Sequence, residues 1–99
     1  MTVMPATAIH DELVTDMAVA RSLLPTAEAL ATECFQDVRN LQVACGSDPE
    51  TAEQWMELRV TVSGTPEEVA DAYDSYVGRW VVAVPWPKHN WVRLHYTSA

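Results

Sequence analysis

The side chains of this chain that could do acid–base, nucleophilic or metal chemistry are three histidines, two cysteines and fourteen carboxylates. Their spacing decides what they can do. His10, Asp11 and Glu12 stand together where the first helix is expected to begin. They could hold a metal or exchange protons, but carboxylates in a first turn also match the helix dipole, and a solvated helix terminus is the simpler reading. His89 and His95 flank a loop and a strand at a separation that matches no common ligand pattern, so both read as exposed polar residues. Cys34 and Cys45 form no CxxC pair, and both fall on predicted apolar faces, where a thiol is usually inert. A disulfide between them stays open only if the protein is secreted.

Absent patterns narrow the classes further. The three glycines, Gly46, Gly64 and Gly78, each stand at an expected element boundary. No GxGxxG or phosphate-binding loop can be drawn through them, and there is no GxSxG elbow, HExxH or calcium loop. The sequence therefore leads to no catalytic residue, no metal ligand and no cofactor. What it offers instead is tryptophan beside arginine, the pair most enriched where proteins bind one another.

The elements that position these residues follow from periodicity. Thr7 is a plausible cap, and Ile9, Leu13, Met17, Ala20 and Leu24 recur at helical spacing, predicting a helix over about 8–23 after a loose tail at 1–7. Pro25 stops or kinks it, and Thr26 opens a second helical stretch with the stripe Ala27, Leu30, Ala31, Cys34, Phe35, Val38. One bent helix and two helices both fit. Leu41, Val43 and Cys45 then alternate with polar or small neighbours as a strand does, and Gly46 to Pro49 signals a loop. In the next strand Met56, Leu58, Val60 and Val62 point one way while Trp55, Glu57, Arg59 and Thr61 point the other.

Thr65-Pro-Glu-Glu68 is a capping box with proline at the first helical position. Val69, Ala72, Tyr73, Tyr76 and Val77 give that helix its stripe, with Gly78 as the expected stop. Two further strands are expected at 79–84 and 91–96. The whole is a single α+β domain over 1–99, a two-layer sandwich of a four-stranded, mainly antiparallel sheet with the helices on one face. Its order, α(α)-ββ-α-ββ, is a permuted ferredoxin-like arrangement. The helix–hairpin–helix–hairpin order resembles that of the pterin carbinolamine dehydratases. Where that family carries a paired-histidine motif after its long helix, this chain has Gly78-Arg79-Trp80, so the resemblance implies no site residue here.

In that arrangement the sheet face turned from the helices carries Trp55, Arg59, Trp91, Arg93 and His95, with Trp86 displayed between two prolines. Such a face is expected either to be exposed and bind, or to be covered as core by the N-terminal helices. The formal net charge of −8 argues against general nucleic-acid binding. All acidic residues lie between Asp11 and Asp74, and Glu67, Glu68, Asp71 and Asp74 crowd the helix just before Arg79, Lys88 and Arg93; pairing of these two sets, within one molecule or across a dimer, is expected. No apolar run is long enough to cross a membrane and no signal peptide is visible, so a cytoplasmic location is expected. The function expected is that of a small acidic interaction or adaptor protein, forming a homodimer or binding another protein through Trp55, Arg59, Trp86, Trp91, Arg93 and His95. A small-ligand pocket on the same face is the alternative, and single-stranded nucleic acid stacked on the tryptophans the third.

Overall fold

The computed structural model describes residues 15–98. The expected cap Thr7, the helix start at Ala8, the tail 1–7 and the His10-Asp11-Glu12 cluster lie outside the described residues, but the helix expected over 8–23 is not continuous within them, because Thr15 and Asp16 are non-helical and the helix begins at Met17. Helix α1, Met17–Cys34, is capped by Asp16, whose carboxylate accepts from the amides of Ala18 at 3.0 Å and Val19 at 3.2 Å. The helix runs unbroken through Pro25, which is exposed. Its missing N–H therefore falls on the wet side, where water can satisfy the freed carbonyl. Ala20, Ala27 and Ala31 are fully buried, and these small residues let the helix backbone approach the sheet closely.

Strands β1, Val38–Ser47, and β2, Gln54–Val62, form the expected antiparallel hairpin, with Val43 opposite Leu58 and Leu41 opposite Val60. Both are longer than alternation alone indicated: Val38 leaves the helical stripe to open β1, and Gly46 and Ser47 continue it. A register shift between Val38 and Asn40 bulges the strand at Arg39.

Helix α2, Pro66–Ala83, starts where the sequence places it. The Thr65 hydroxyl accepts from the Glu68 amide at 3.2 Å, and the Glu68 carboxylate accepts from the Thr65 amide at 3.0 Å. It does not stop at Gly78. Residues 79–83, read from sequence as a strand, are its last turn and a half. The stripe Val69, Tyr76 and Trp80 keeps helical spacing through Gly78, and Pro85 right after the cap at Val84 ends the helix. Buried Trp80, stacked on Tyr76 at 6.2 Å, outweighs the strand preference of Val81 and Val82, which are exposed.

With no strand at 79–84, the described residues form three strands in the order β1-β2-β3, in place of the four-stranded, mainly antiparallel and ferredoxin-like sheet expected. A helix now separates β2 from the final strand, and β3, Val92–Ser98, pairs parallel to β2 with Met56 opposite Val92. A 3-10 turn, Lys88–Trp91, leads into β3, and the Trp80 indole donates to its His89 carbonyl at 2.8 Å. The described residues thus form an α+β domain with two α-helices and a mixed three-stranded sheet.

One core joins the layers: Ala20, Ala27 and Ala31 of α1, Val69, Tyr76 and Trp80 of α2, and the face of Met56, Leu58, Val60, Val62, Val92 and Leu94. Burial pushes the Tyr76 phenol well above its ordinary range. The helical cover is uneven. Val60 and Leu58 are 1% and 0% exposed, but Leu41 and Val43, opposite them on the same face, are 37% and 47% exposed. No helix among the described residues is long and apolar enough to cross a membrane.

Candidate functional site

Strand alternation turns Trp55, Glu57, Arg59 and Thr61 away from the helices, and the parallel register sets Arg93 beside Glu57 and His95 beside Arg59. On the other flank Trp55 faces Gly46. The indole lies across that glycine so closely that a Cβ there would sit 2.1 Å from Trp55 Nε1, so only glycine leaves room for the ring. The Arg93 guanidinium stacks 3.9 Å from the centroid of the indole. It also donates to the Glu53 carboxylate at 3.0 Å and to the Asn90 carbonyl at 3.1 Å. Trp55 is half-buried because its own neighbours cover it.

Glu57 is the hub. Its Oε1 accepts from the Trp55 indole at 3.1 Å, its Oε2 accepts from Arg59 Nε at 3.1 Å and Nη2 at 2.8 Å, and His95 Nε2 stands 3.7 Å from Oε1. Burial pushes the Glu57 carboxyl up, but the Arg59 and Trp55 hydrogen bonds, with the nearby charges of His95 and Arg59, outweigh it and hold the group below the usual glutamate range. Sequence reading placed Glu57 on this face and missed its role. The signal was available, since a carboxylate two residues from Trp55 and two from Arg59 shares a strand face with both.

Glu57, Arg59, His95 and Thr97 line an open depression of ≈330 Å³. Among the described residues no three His, Cys, Asp or Glu side chains stand close enough to hold a metal ion.

Of the six expected interaction residues, the fold brings four together: Trp55, Arg59, Arg93 and His95. Trp86 is 66% exposed on the loop before the 3-10 turn. With Thr15, Glu53, Pro87, Asn90 and Trp91 it lines a smaller hollow of ≈140 Å³. Trp91 is not on the open face. The 3-10 turn takes it out of the strand alternation and into the core, where it is 8% exposed. Trp80, Val82 and Val84, within the stretch expected as a strand, belong to α2 and its cap. Two of the cations after Gly78 are paired internally, Arg79 with Glu33 of α1 at 2.6 Å and Arg93 with Glu53 at 3.0 Å, in place of the expected partners Glu67, Glu68, Asp71 and Asp74.

A second surface was not singled out from sequence. Among the described residues strand β1 is an edge, hydrogen-bonded on one side by β2. From Asn40 to Ser47 it carries no charged residue and no proline. Natural edges are usually protected by lysine, proline or a covering element. Toward the helical layer this edge shows Leu41, Val43 and Cys45, all exposed. Cys45, expected on an apolar and therefore inert face, is on the apolar side but uncovered, and both it and half-buried Cys34 are free thiols. No known protein family matches the chain, and neither does any curated protein or solved structure.

Proposed function

We propose that this chain is a small acidic interaction module that associates, with itself or with a protein partner, by accepting a strand on the free edge of β1. One observation carries the reading: an edge strand that is uncharged from Asn40 to Ser47 and whose Leu41 and Val43 stay 37% and 47% exposed on the face where the rest of the sheet is core. Strand addition supplies main-chain hydrogen bonds, and the bare apolar side chains supply contact area. The aromatic and arginine face supports association less directly. Arg93 and Glu57 already occupy Trp55, so that stacking a base would first require Arg93 to leave, which weighs against single-stranded nucleic acid. The depression at Glu57, Arg59, His95 and Thr97 supports a second reading, a small polar ligand held by both charge signs. Two free thiols fit a reducing cytoplasmic location.

Hydrogen exchange tests the main reading. In dilute protein the outward amides between residues 40 and 47 should exchange far faster than those of β2, and they should slow on association. Slow exchange along 40–47 in the dilute monomer would mean that the edge is already capped within the chain, and the reading fails.

A further inference from the structure

We infer that the strand β1 accepts is β1 of a second copy, running antiparallel across a two-fold axis at Val43 and joining two sheets into one of six strands; this rests on the edge reading above.

Charge selects the partner. The chain carries a net charge of −8, so two copies repel over most of their surface. Between Asp37 and Asp48 the only charged residue is Arg39. The edge is thus a place where one copy can approach another without opposing like charges. It also offers nothing to a strongly acidic or basic partner. A closed two-fold contact is the commonest assembly for a self-complementary patch.

Direction follows from the two ends. Arg39 stands at the start of β1 and Asp48 just past its end. A parallel pairing would set Arg39 against Arg39 and Asp48 against Asp48. An antiparallel pairing brings each Arg39 to the partner's Asp48 end. Arg39 holds its own Asp37 at 2.9 Å, a neutral unit that adds no repulsion there.

Register follows from side-chain matching. A two-fold axis in an antiparallel pair passes through a residue opposite itself. The bulge at Arg39 confines regular pairing to 40–47, whose middle is Val43 or Ala44. With the axis at Ala44, Leu41 would face Ser47. With the axis at Val43, Val43 meets Val43 and Leu41 meets Cys45, so every pair on the helical side is apolar, while Gln42 faces Ala44 on the other. The second arrangement buries Leu41, Val43 and Cys45 of both copies in the valley between the two helical layers.

The register can be trapped chemically. In full-length protein with Cys34→Ser, native Cys45 is kept and Leu41→Cys is introduced, then the sample is mildly oxidised. Covalent dimer should form rapidly, with a 41–45 disulfide between copies in the peptide map. The control Gln42→Cys, on the opposite face, should give at least tenfold less. Sedimentation of the wild type from about 1 μM to about 1 mM should show the mass doubling, and Val43→Lys should hold it monomeric with unchanged circular dichroism. A wild type monomeric throughout, with fast exchange at 40–47, would overturn the second-copy inference while leaving the edge open to another partner. Concentration-independent protection there would overturn both. A dimer that survives Val43→Lys but is lost with Arg93→Ala would place self-association on the open face and overturn the inference.

Discussion

Val43 and Leu58 sit opposite each other on one ladder and point to the same side of the sheet, yet Val43 is 47% exposed and Leu58 is 0%. Hydrophobicity does not separate them, and neither does strand pattern. Position under the helices does. The three buried alanines of α1 draw that helix down onto β2, and α2 reaches the β3 side through Trp80 and the Tyr73–Tyr96 ring pair at 5.0 Å. The layer is spent before it reaches β1. The same apolar alternation thus means core in one strand and exposed surface in its neighbour.

The most direct way to break that contrast is to truncate both residues. Leu58→Ala should cost about 2–5 kcal/mol in unfolding free energy, the range for a fully buried leucine that leaves a cavity. Val43→Ala should cost below about 1 kcal/mol, since half the side chain is already in water and only pairing preference is lost. Chemical denaturation at protein concentrations too low for association measures both. Equal costs would mean that β1 is covered as well as β2.

The helical cover can be probed at its start. Thr65→Ala removes the hydroxyl that accepts the Glu68 amide and should cost about 1 kcal/mol, the ordinary worth of a cap. Urea denaturation reads it, and no loss would mean that α2 does not depend on its capping box. A loss here with Val43 exchange unchanged would sharpen the comparison, because loosening the layer should not disturb a strand the layer does not cover.

How much of this was legible in the sequence varies by residue. Met56 to Val62 alternate so cleanly that the buried face of β2 is readable directly, and Thr65 with Glu68 announces α2 through its own hydrogen bonds. Both signals are local. The end of α2 was obscured because Gly78 and a run of valines resemble a stop followed by a strand. Only burial of Trp80 against Tyr76 and the sheet, a tertiary effect, favours helix there, although Trp80 lies one turn beyond Tyr76 and Pro85 marks the true end. Trp91 was misplaced because one 3-10 turn shifts the alternation, and nothing local announces it. Of the open face, Trp55, Arg59, Arg93 and His95 were legible as neighbours, but the pairing that quiets them through Glu57 depends on distances. The bare β1 edge was invisible in principle, because it depends on where the helices are not.

The smallest effect expected concerns the open face, the charged counterpart of the bare one. Glu57 holds Trp55 and Arg59, and its carboxyl sits below the ordinary glutamate value of 4.5. A carboxylate with a depressed folded-state pKa contributes stability that is fully present above its unfolded pKa. That contribution fades as pH drops below about 4.5 and is gone once pH has fallen through the folded-state value. Arg59 and His95 are 57% and 61% exposed, so solvent screens both pairs and the contribution is modest, each exposed pair being worth about 0–1 kcal/mol. Glu57→Gln should therefore unfold slightly more easily than wild type at pH 7, with the gap narrowing as pH falls below about 4.5. Because Arg59 and His95 lie on the far face from Val43, the substitution should leave exchange at 40–47 and any concentration-dependent mass unchanged. If it instead weakens association at pH 7, the charged face takes part in the contact, and the division between a bare face that binds and a saturated face that does not is wrong.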